Sequence, residues 1–214
     1  MKRAFRTFPT AAAMARFAAG LLRRELLRGG RRRVVALPGG STPRPLLRGL
    51  AGLTLPWFRA VFFMTDERLV PFSSADSNFG AARRLFFAPA GVPAASLRPP
   101  RRAKAYAAAL RRAGGLDLAF LGVGEDGHTA SLFPGSPALR SRSLAAETRA
   151  PRGLPGPRRL TLTPKALNSA GTLVFMAAGP GKKKIFRKAA AGDVSIPAGA
   201  LRPAKAWFLF ARKA

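Results

Sequence analysis

The sequence predicts an α/β fold: a mostly parallel sheet flanked by helices, in a single domain over residues 1–214. Three observations carry this. Short apolar runs recur along the chain, as in Arg33–Leu37, Ala60–Met64, Leu116–Leu121 and Thr172–Ala177. Runs that are continuously apolar, not alternating, mark strands buried on both faces. Helical stretches lie between them, the alternation expected of a parallel sheet. Several runs also end in glycines, at the strand-to-loop junctions where open α/β sheets bind ligands.

The elements follow in order. A short strand near Ala4–Phe8 precedes a helix from about Thr10 to Arg28 with Ala, Met, Phe and Leu on one side. The strand Arg33–Leu37 is ended by Pro38-Gly39-Gly40. Ser41 and Thr42 then read as N-cap residues of a helix with Pro43 in its first turn. Ala60–Met64 is a strand and Ser77–Phe87 a helix, after which Pro99-Pro100 breaks the chain. Arg101–Arg112 is a helix closed by Gly114-Gly115. Leu116–Leu121 is again a strand ended by glycines. Pro151–Pro157 is a loop within the domain. Arg159–Thr163 and Thr172–Ala177 are strands, Lys182–Ala191 a helix and Trp207–Phe210 a closing strand. No internal repeat is visible.

Composition narrows the function. Hydrophobic residues at 48% and charged residues at 22% exclude a disordered chain. The absence of Cys removes disulfides, thiolate nucleophiles and thiolate metal sites, and a single His removes any multi-histidine zinc site. Net charge is +29, from 38 Lys and Arg against 9 Asp and Glu. The arginines are scattered, with runs no longer than Arg31-Arg32-Arg33, and the phenylalanines sit in apolar strings without interleaved Arg. That pattern predicts unspecific attraction to polyanions and no specific nucleic-acid partner. No segment approaches the ~18 continuous apolar residues of a membrane span. The Arg- and Ala-rich start, without an acid before Glu25, superficially suits an organelle transit peptide. Arg16 interrupts any secretory apolar core, and a strand followed by a helix is the better reading. The expected location is cytoplasmic.

With so few carboxylates, their clustering is informative. Asp66-Glu67 and Glu125-Asp126 hold four of the nine, and the single histidine, His128, follows the second pair. Three strand-end loops carry this chemistry. In the first, Gly39-Gly40-Ser41-Thr42 offers backbone N–H groups and hydroxyls to an anion, though an ordinary strand-to-helix turn looks the same. Pro43 excludes a nucleophile elbow there. In the second, Asp66-Glu67-Arg68 combines an arginine able to grip a phosphate with carboxylates able to orient a hydroxyl or a base. The third, Gly122 to Gly135, matches G-x-G-x-x-G at Gly122, Gly124 and Gly127, with Glu147 at the spacing of a ribose-binding acid. Two acids fill the middle and Pro134-Gly135 cuts the helix, which argues against a dinucleotide. His128 beside two carboxylates in a polar loop instead favours a general base oriented by a carboxylate. Near the end, Gly179-Pro180-Gly181-Lys182 fails as a P-loop, with Met176 in place of Gly and Lys183 in place of Ser or Thr. Lys182 still suits a phosphate.

In combination these blocks are familiar. Gly39-Gly40-Ser41-Thr42-Pro43, Asp66-Glu67-Arg68 with Ser77-Asn78, Gly124-Glu125-Asp126-Gly127-His128-Thr129-Ala130-Ser131-Leu132-Phe133-Pro134-Gly135, Arg159-Leu160-Thr161-Leu162-Thr163, and Gly179 with Lys182 stand in the order seen in 6-phosphogluconolactonases. The chain resembles that family from about residue 4 to 209. The resemblance implies a Rossmann-like sheet and hydrolysis of 6-phospho-glucono-1,5-lactone to 6-phosphogluconate, in the oxidative pentose phosphate pathway, with no metal or cofactor. It implies a small sugar-phosphate lactone as the only partner of a monomer or small homo-oligomer. His128 would take the proton of the attacking water and Asp126 would orient the imidazole, with Asp66 and Glu67 as further catalytic candidates. Gly39, Gly40, Ser41, Thr42, Arg68, Arg159 and Lys182 would bind substrate and phosphate; Arg158 beside Arg159 leaves that position open to a shift of one. Relatives that act as sugar-phosphate deaminases or isomerases carry a Glu shortly after the loop histidine, where this chain has Ser131-Leu132-Phe133. The other alternative is a basic nucleic-acid-binding protein without turnover. The chain departs from the family at its end, where Phe210 follows Trp207-Phe208-Leu209 without an Asp.

Overall fold

The computed structural model describes residues 2–214. Nine strands form two sheets. The larger has the order β1-β9-β8-β5-β2-β3 and is parallel throughout, built from β1 (Lys2–Thr10), β2 (Arg33–Leu37), β3 (Ala60–Met64), β5 (Leu118–Gly122), β8 (Thr172–Ala178) and β9 (Lys205–Lys213). The smaller is antiparallel, in the order β4-β7-β6, from β4 (Asp66–Arg68), β6 (Ala145–Arg149) and β7 (Arg158–Leu162). Its strands β4 and β6 fall outside every sequence expectation, and β7 leaves the parallel sheet. β6 carries Glu147, Thr148 and Arg149, and β4 is three polar residues, so neither shows an apolar run.

Alternate residues of the parallel strands feed two apolar layers. Val35, Leu37, Phe62, Phe120 and Met176 pack under α1 (Ala11–Leu27) and α2 (Arg44–Ala51). Val34, Ala36, Phe63, Ala119 and Phe175 pack under α4 (Ala103–Arg112), α6 (Lys183–Ala191) and the small sheet. The expected strand near residues 4–8 runs from 2 to 10, and the closing strand from 205 to 213. These two pair with each other from Lys2↔Lys205 to Thr10↔Lys213, so tertiary pairing carries both past their apolar centres. Thr10 then caps α1, its hydroxyl accepting from the Ala13 N–H at 3.2 Å. Among the described residues, no helix is long and apolar enough to cross a membrane.

Two helix starts bear on function. Ser41 and Thr42 do not cap α2: the cap is Pro43, without a side-chain bond, and the two residues form a preceding turn. The helix expected over Ser77–Phe87 is capped by Ser77 itself, whose Oγ accepts from the Gly80 N–H at 2.9 Å. It runs as α3 (Asn78–Ala82) and widens into a π turn over Arg83–Phe87.

Chain order fixes where a ligand can bind. β2 passes to β3 on one side, and the chain later returns to place β5 on the other side of β2. The loops after β2 and β5 therefore diverge and leave a crevice at the carboxyl ends. The segment after β3 is brought to that crevice by Glu67. Its carboxylate is fully buried and accepts from the N–H groups of Arg68 (2.7 Å), Asn78 (2.7 Å) and Phe79 (2.8 Å) and from Ser77 Oγ (3.0 Å). The expectation that Glu67 is catalytic is corrected here: every bond it makes is internal, and it fastens β4 to the start of α3.

Burial pushes the Glu67 carboxyl above its ordinary value, while the donors from Phe79, Asn78, Arg68 and Ser77 pull it down. Glu67→Gln turns an amide NH2 toward N–H and O–H donors and leaves a buried group unpaired. It should lower stability by about 1–3 kcal/mol, measured by urea unfolding. A raised native pKa contributes stability below the unfolded value of about 4.3 and loses it as pH rises through the native value. The gap between parent and variant should therefore narrow as pH rises through that window.

Candidate active site

The crevice holds a cleft of about 360 Å³. Its walls are the turn at residues 38–43 after β2, the segment at 65–68 after β3, the loop from Gly122 after β5, and Phe133, Leu154, Pro155, Arg159 and Lys182. Of the residues singled out from the sequence, Gly39, Gly40, Ser41, Thr42, Asp66, Arg68, His128, Arg159 and Lys182 all line it. Glu67 does not, and Asp126 stands behind His128. A larger cavity, about 670 Å³, lies over β6 and β7 and contains none of the expected site residues.

The turn after β2 is open toward the cleft. Among the described residues, the N–H groups of residues 39–42 and the Ser41 and Thr42 hydroxyls have no partner within the protein. Gly39 is required by a close approach. A Cβ there would lie 1.9 Å from Asn78 Oδ1. Asn78 in turn donates to the Asp66 carbonyl at 3.0 Å, so first and second loops interlock through one amide.

Asp66 is 7% exposed and faces the cleft. Its Oδ2 accepts from Ser131 Oγ at 2.7 Å and lies 3.8 Å from Arg159 Nη1. Arg68 and Arg159 are directly opposite in the antiparallel pair β4–β7, which puts two cations on one face. Arg159 bonds to the carbonyls of Gly156 and Pro155, both at 2.5 Å, and Arg68 to the Asp76 carbonyl at 2.7 Å. Burial, with Arg68 as the next cause, pushes the Arg159 guanidinium down from its ordinary value. The Arg68 Nε is buried without a partner. Lys182 supplies a third positive group from the turn before α6. Arg159, not Arg158, faces the cleft: strand alternation turns Arg158 outward, 3.6 Å from Glu147.

The third loop holds the histidine from behind. Asp126 Oδ1 is 2.5 Å from His128 Nδ1 and also accepts the His128 N–H at 3.1 Å. The carboxylate is an acceptor, so Nδ1 carries the proton and Nε2 has a free lone pair. A Cβ at Gly124 would lie 2.2 Å from the imidazole Nδ1 and Cε1, so glycine is the residue that admits the ring. Phe133 closes the other side, its ring centroid 4.8 Å away. Ala130, also in the cleft wall, has φ +50°, a left-handed conformation that costs a non-glycine residue about 1 kcal/mol or more. Asn78, Phe133 and Leu154 are cleft residues not singled out as site residues from the sequence. Asn78 reads from the sequence only as part of the helix Ser77–Phe87. Leu154 sits in a segment of Pro and Gly that reads only as a loop.

Known proteins resemble this chain in sequence and in fold. The sequence profile described as glucosamine-6-phosphate isomerases/6-phosphogluconolactonase matches residues 9–210. A 6-phosphogluconolactonase of Rattus norvegicus is 36% identical over 206 residues, 86% of this chain and 80% of the relative. One from Pseudomonas putida is 37% identical over 170 residues, 74% and 70% of the two chains. The crystal structure of a 6-phosphogluconolactonase from Thermotoga maritima superposes with a TM-score of 0.86 at 31% identity, covering 98% of this chain and all of that one. The chain therefore belongs to the glucosamine-6-phosphate isomerase/6-phosphogluconolactonase family.

Proposed function

We propose that this protein hydrolyses 6-phospho-D-glucono-1,5-lactone to 6-phosphogluconate, the reaction named for its relatives. The observation that carries the reading is the pairing of a carboxylate-oriented imidazole with a cation-lined cleft. Water attacks the lactone carbonyl and gives its proton to His128 Nε2. The unpaired N–H groups of the Gly39-Gly40 turn receive the developing oxyanion. Collapse of the tetrahedral intermediate breaks the bond from C1 to the ring oxygen. That oxygen takes the proton from the imidazolium, which leaves an open-chain acid that ionises. Asp126 holds the ring and offsets its charge while it is protonated. Ser41, Thr42, Arg68, Arg159 and Lys182 bind the phosphate, and Asp66 orients a sugar hydroxyl. The reaction belongs to a single-domain, cytoplasmic enzyme of the pentose phosphate pathway, a monomer or small homo-oligomer acting without a cofactor.

The deaminase or isomerase alternative requires an acid close after the loop histidine. Ser131 is instead bonded to Asp66, and Phe133 fills the space beside the imidazole. Lactone disappearance above the spontaneous rate, with no turnover of glucosamine 6-phosphate, is the expected result. Turnover of the amino sugar would refute it.

Three outcomes follow for variants. His128→Asn should keep the fold and KM while kcat falls ~10²–10⁴-fold, the usual contribution of a general base. A kcat close to the parent's would move the base to a carboxylate. Arg68→Ala or Lys182→Ala should raise KM roughly tenfold to a hundredfold, the loss of one charge-assisted contact, and leave unphosphorylated gluconolactone unaffected. Gly124→Ala should displace the ring and lower kcat with little change in KM, read from steady-state kinetics beside an unchanged circular dichroism spectrum.

A further inference from the structure

The α6 side of the parallel sheet is only partly covered. Phe186 of α6 packs on Phe208 and Phe210 of β9, at ring separations of 5.9 and 5.8 Å. The outermost strand, β1, meets α6 only in places, Phe5 with its ring 5.9 Å from that of Phe186 and Arg3 donating to the Ala190 carbonyl at 2.8 Å. A groove of about 350 Å³ lies there between α6 and the β1–β9 edge, lined by Phe5, Thr7, Phe210, Lys183, Arg187 and Arg212, with Pro180 at one end. It is separate from the cleft: the turn before α6 sends Lys182 to the cleft and Lys183 to the groove.

The groove has two chemical halves. Lys183 and Arg187 are one helical turn apart on the same face of α6, and Arg212 stands across from them on β9. No acid lines the groove, and among the described residues none of these three cations is in an ion pair. Like charges gathered in this way repel, and an anion between them relieves the repulsion. The floor is aromatic. Phe5 is 47% exposed, one of the few large apolar side chains left in water. Beside it Thr7 presents a hydroxyl without a protein partner, which suits a polar heterocycle or sugar better than an alkyl chain.

We propose that this groove is a second ligand site, for a nucleoside phosphate. The base lies against Phe5, the phosphates sit among Lys183, Arg187 and Arg212, and the volume is that of a small-molecule site. The assignment stands apart from the lactonase reading, since it uses no residue of the cleft.

A protein of charge +29 attracts any polyanion, so the test separates site from field. ATP and tripolyphosphate are titrated calorimetrically at 0.15 M salt or above, where screening acts within about 8 Å. ATP should bind at one site. The double variant Arg187→Gln/Arg212→Gln should weaken it by roughly tenfold to a hundredfold. Phe5→Ala should weaken ATP by about tenfold and leave tripolyphosphate unchanged. Arg83→Gln/Arg84→Gln removes the same charge from an exposed position on the other layer and should have no effect. Lys182→Ala, a change in the cleft, should also leave ATP affinity unchanged. Lactone turnover should be unaffected by the groove variants. Absence of ATP binding, equal effects of the two double variants, or loss of ATP binding in Lys182→Ala would each overturn the proposal. The arginine variants keep the test decisive if Phe5→Ala fails to fold.

Discussion

The site depends on one buried carboxylate. Glu67 collects three backbone N–H groups and a hydroxyl, and thereby closes the chain from the end of β3 to the start of α3 into one rigid unit. That unit fixes Asp66 and Arg68 on either side of Glu67, facing the cleft. It also places Asn78, whose amide packs on Gly39 and sets the turn after β2. Arg159 is positioned at one remove, because β7 pairs with the strand that Glu67 anchors. A charge is costly to bury, and its cost is offset here because nearly all its acceptor capacity is used. The acid next to Asp66 thus acts on the scaffold, while Asp66 itself faces the cleft.

The histidine loop shows the same economy by a different device. A glycine admits the ring, a carboxylate two residues away fixes its tautomer, and an aromatic ring limits its tilt. Ala130 holds a left-handed conformation in the same loop, with backbone strain borne at the cleft wall. These three contacts together define one orientation of the imidazole at the cleft wall.

Much of this was legible in the sequence because the chain is so poor in acids. Asp66, Asp126 and His128 stood out, and the strands β2, β3, β5 and β8 announced themselves as apolar runs. The small antiparallel sheet was not legible, since β4 and β6 owe their form to pairing with β7, not to apolar patterning. The same physics misplaced two roles. Glu67 and Asp66 are neighbours in sequence, but strand alternation sends one inward and the other to the cleft, and no spacing rule says which. Ser41 and Thr42 looked like helix caps because hydroxyls before a helix usually are. Their freedom from that task is visible only once the turn is seen.

The pairing of β1 with β9 has a consequence for how the protein is made. The outermost strand leaves the ribosome about 200 residues before the neighbour it needs. At roughly 5–20 residues per second, β1 waits on the order of ten seconds or more for its partner. During that interval Phe5 and Phe8 have no sheet to join, and the nascent chain carries its positive charge past an RNA-rich surface. Parallel pairing of strands so far apart in sequence also imposes a large loop closure, which slows the step that joins them. β9 therefore completes both the sheet and the floor of the groove beside α6, and a chain halted before it would have neither.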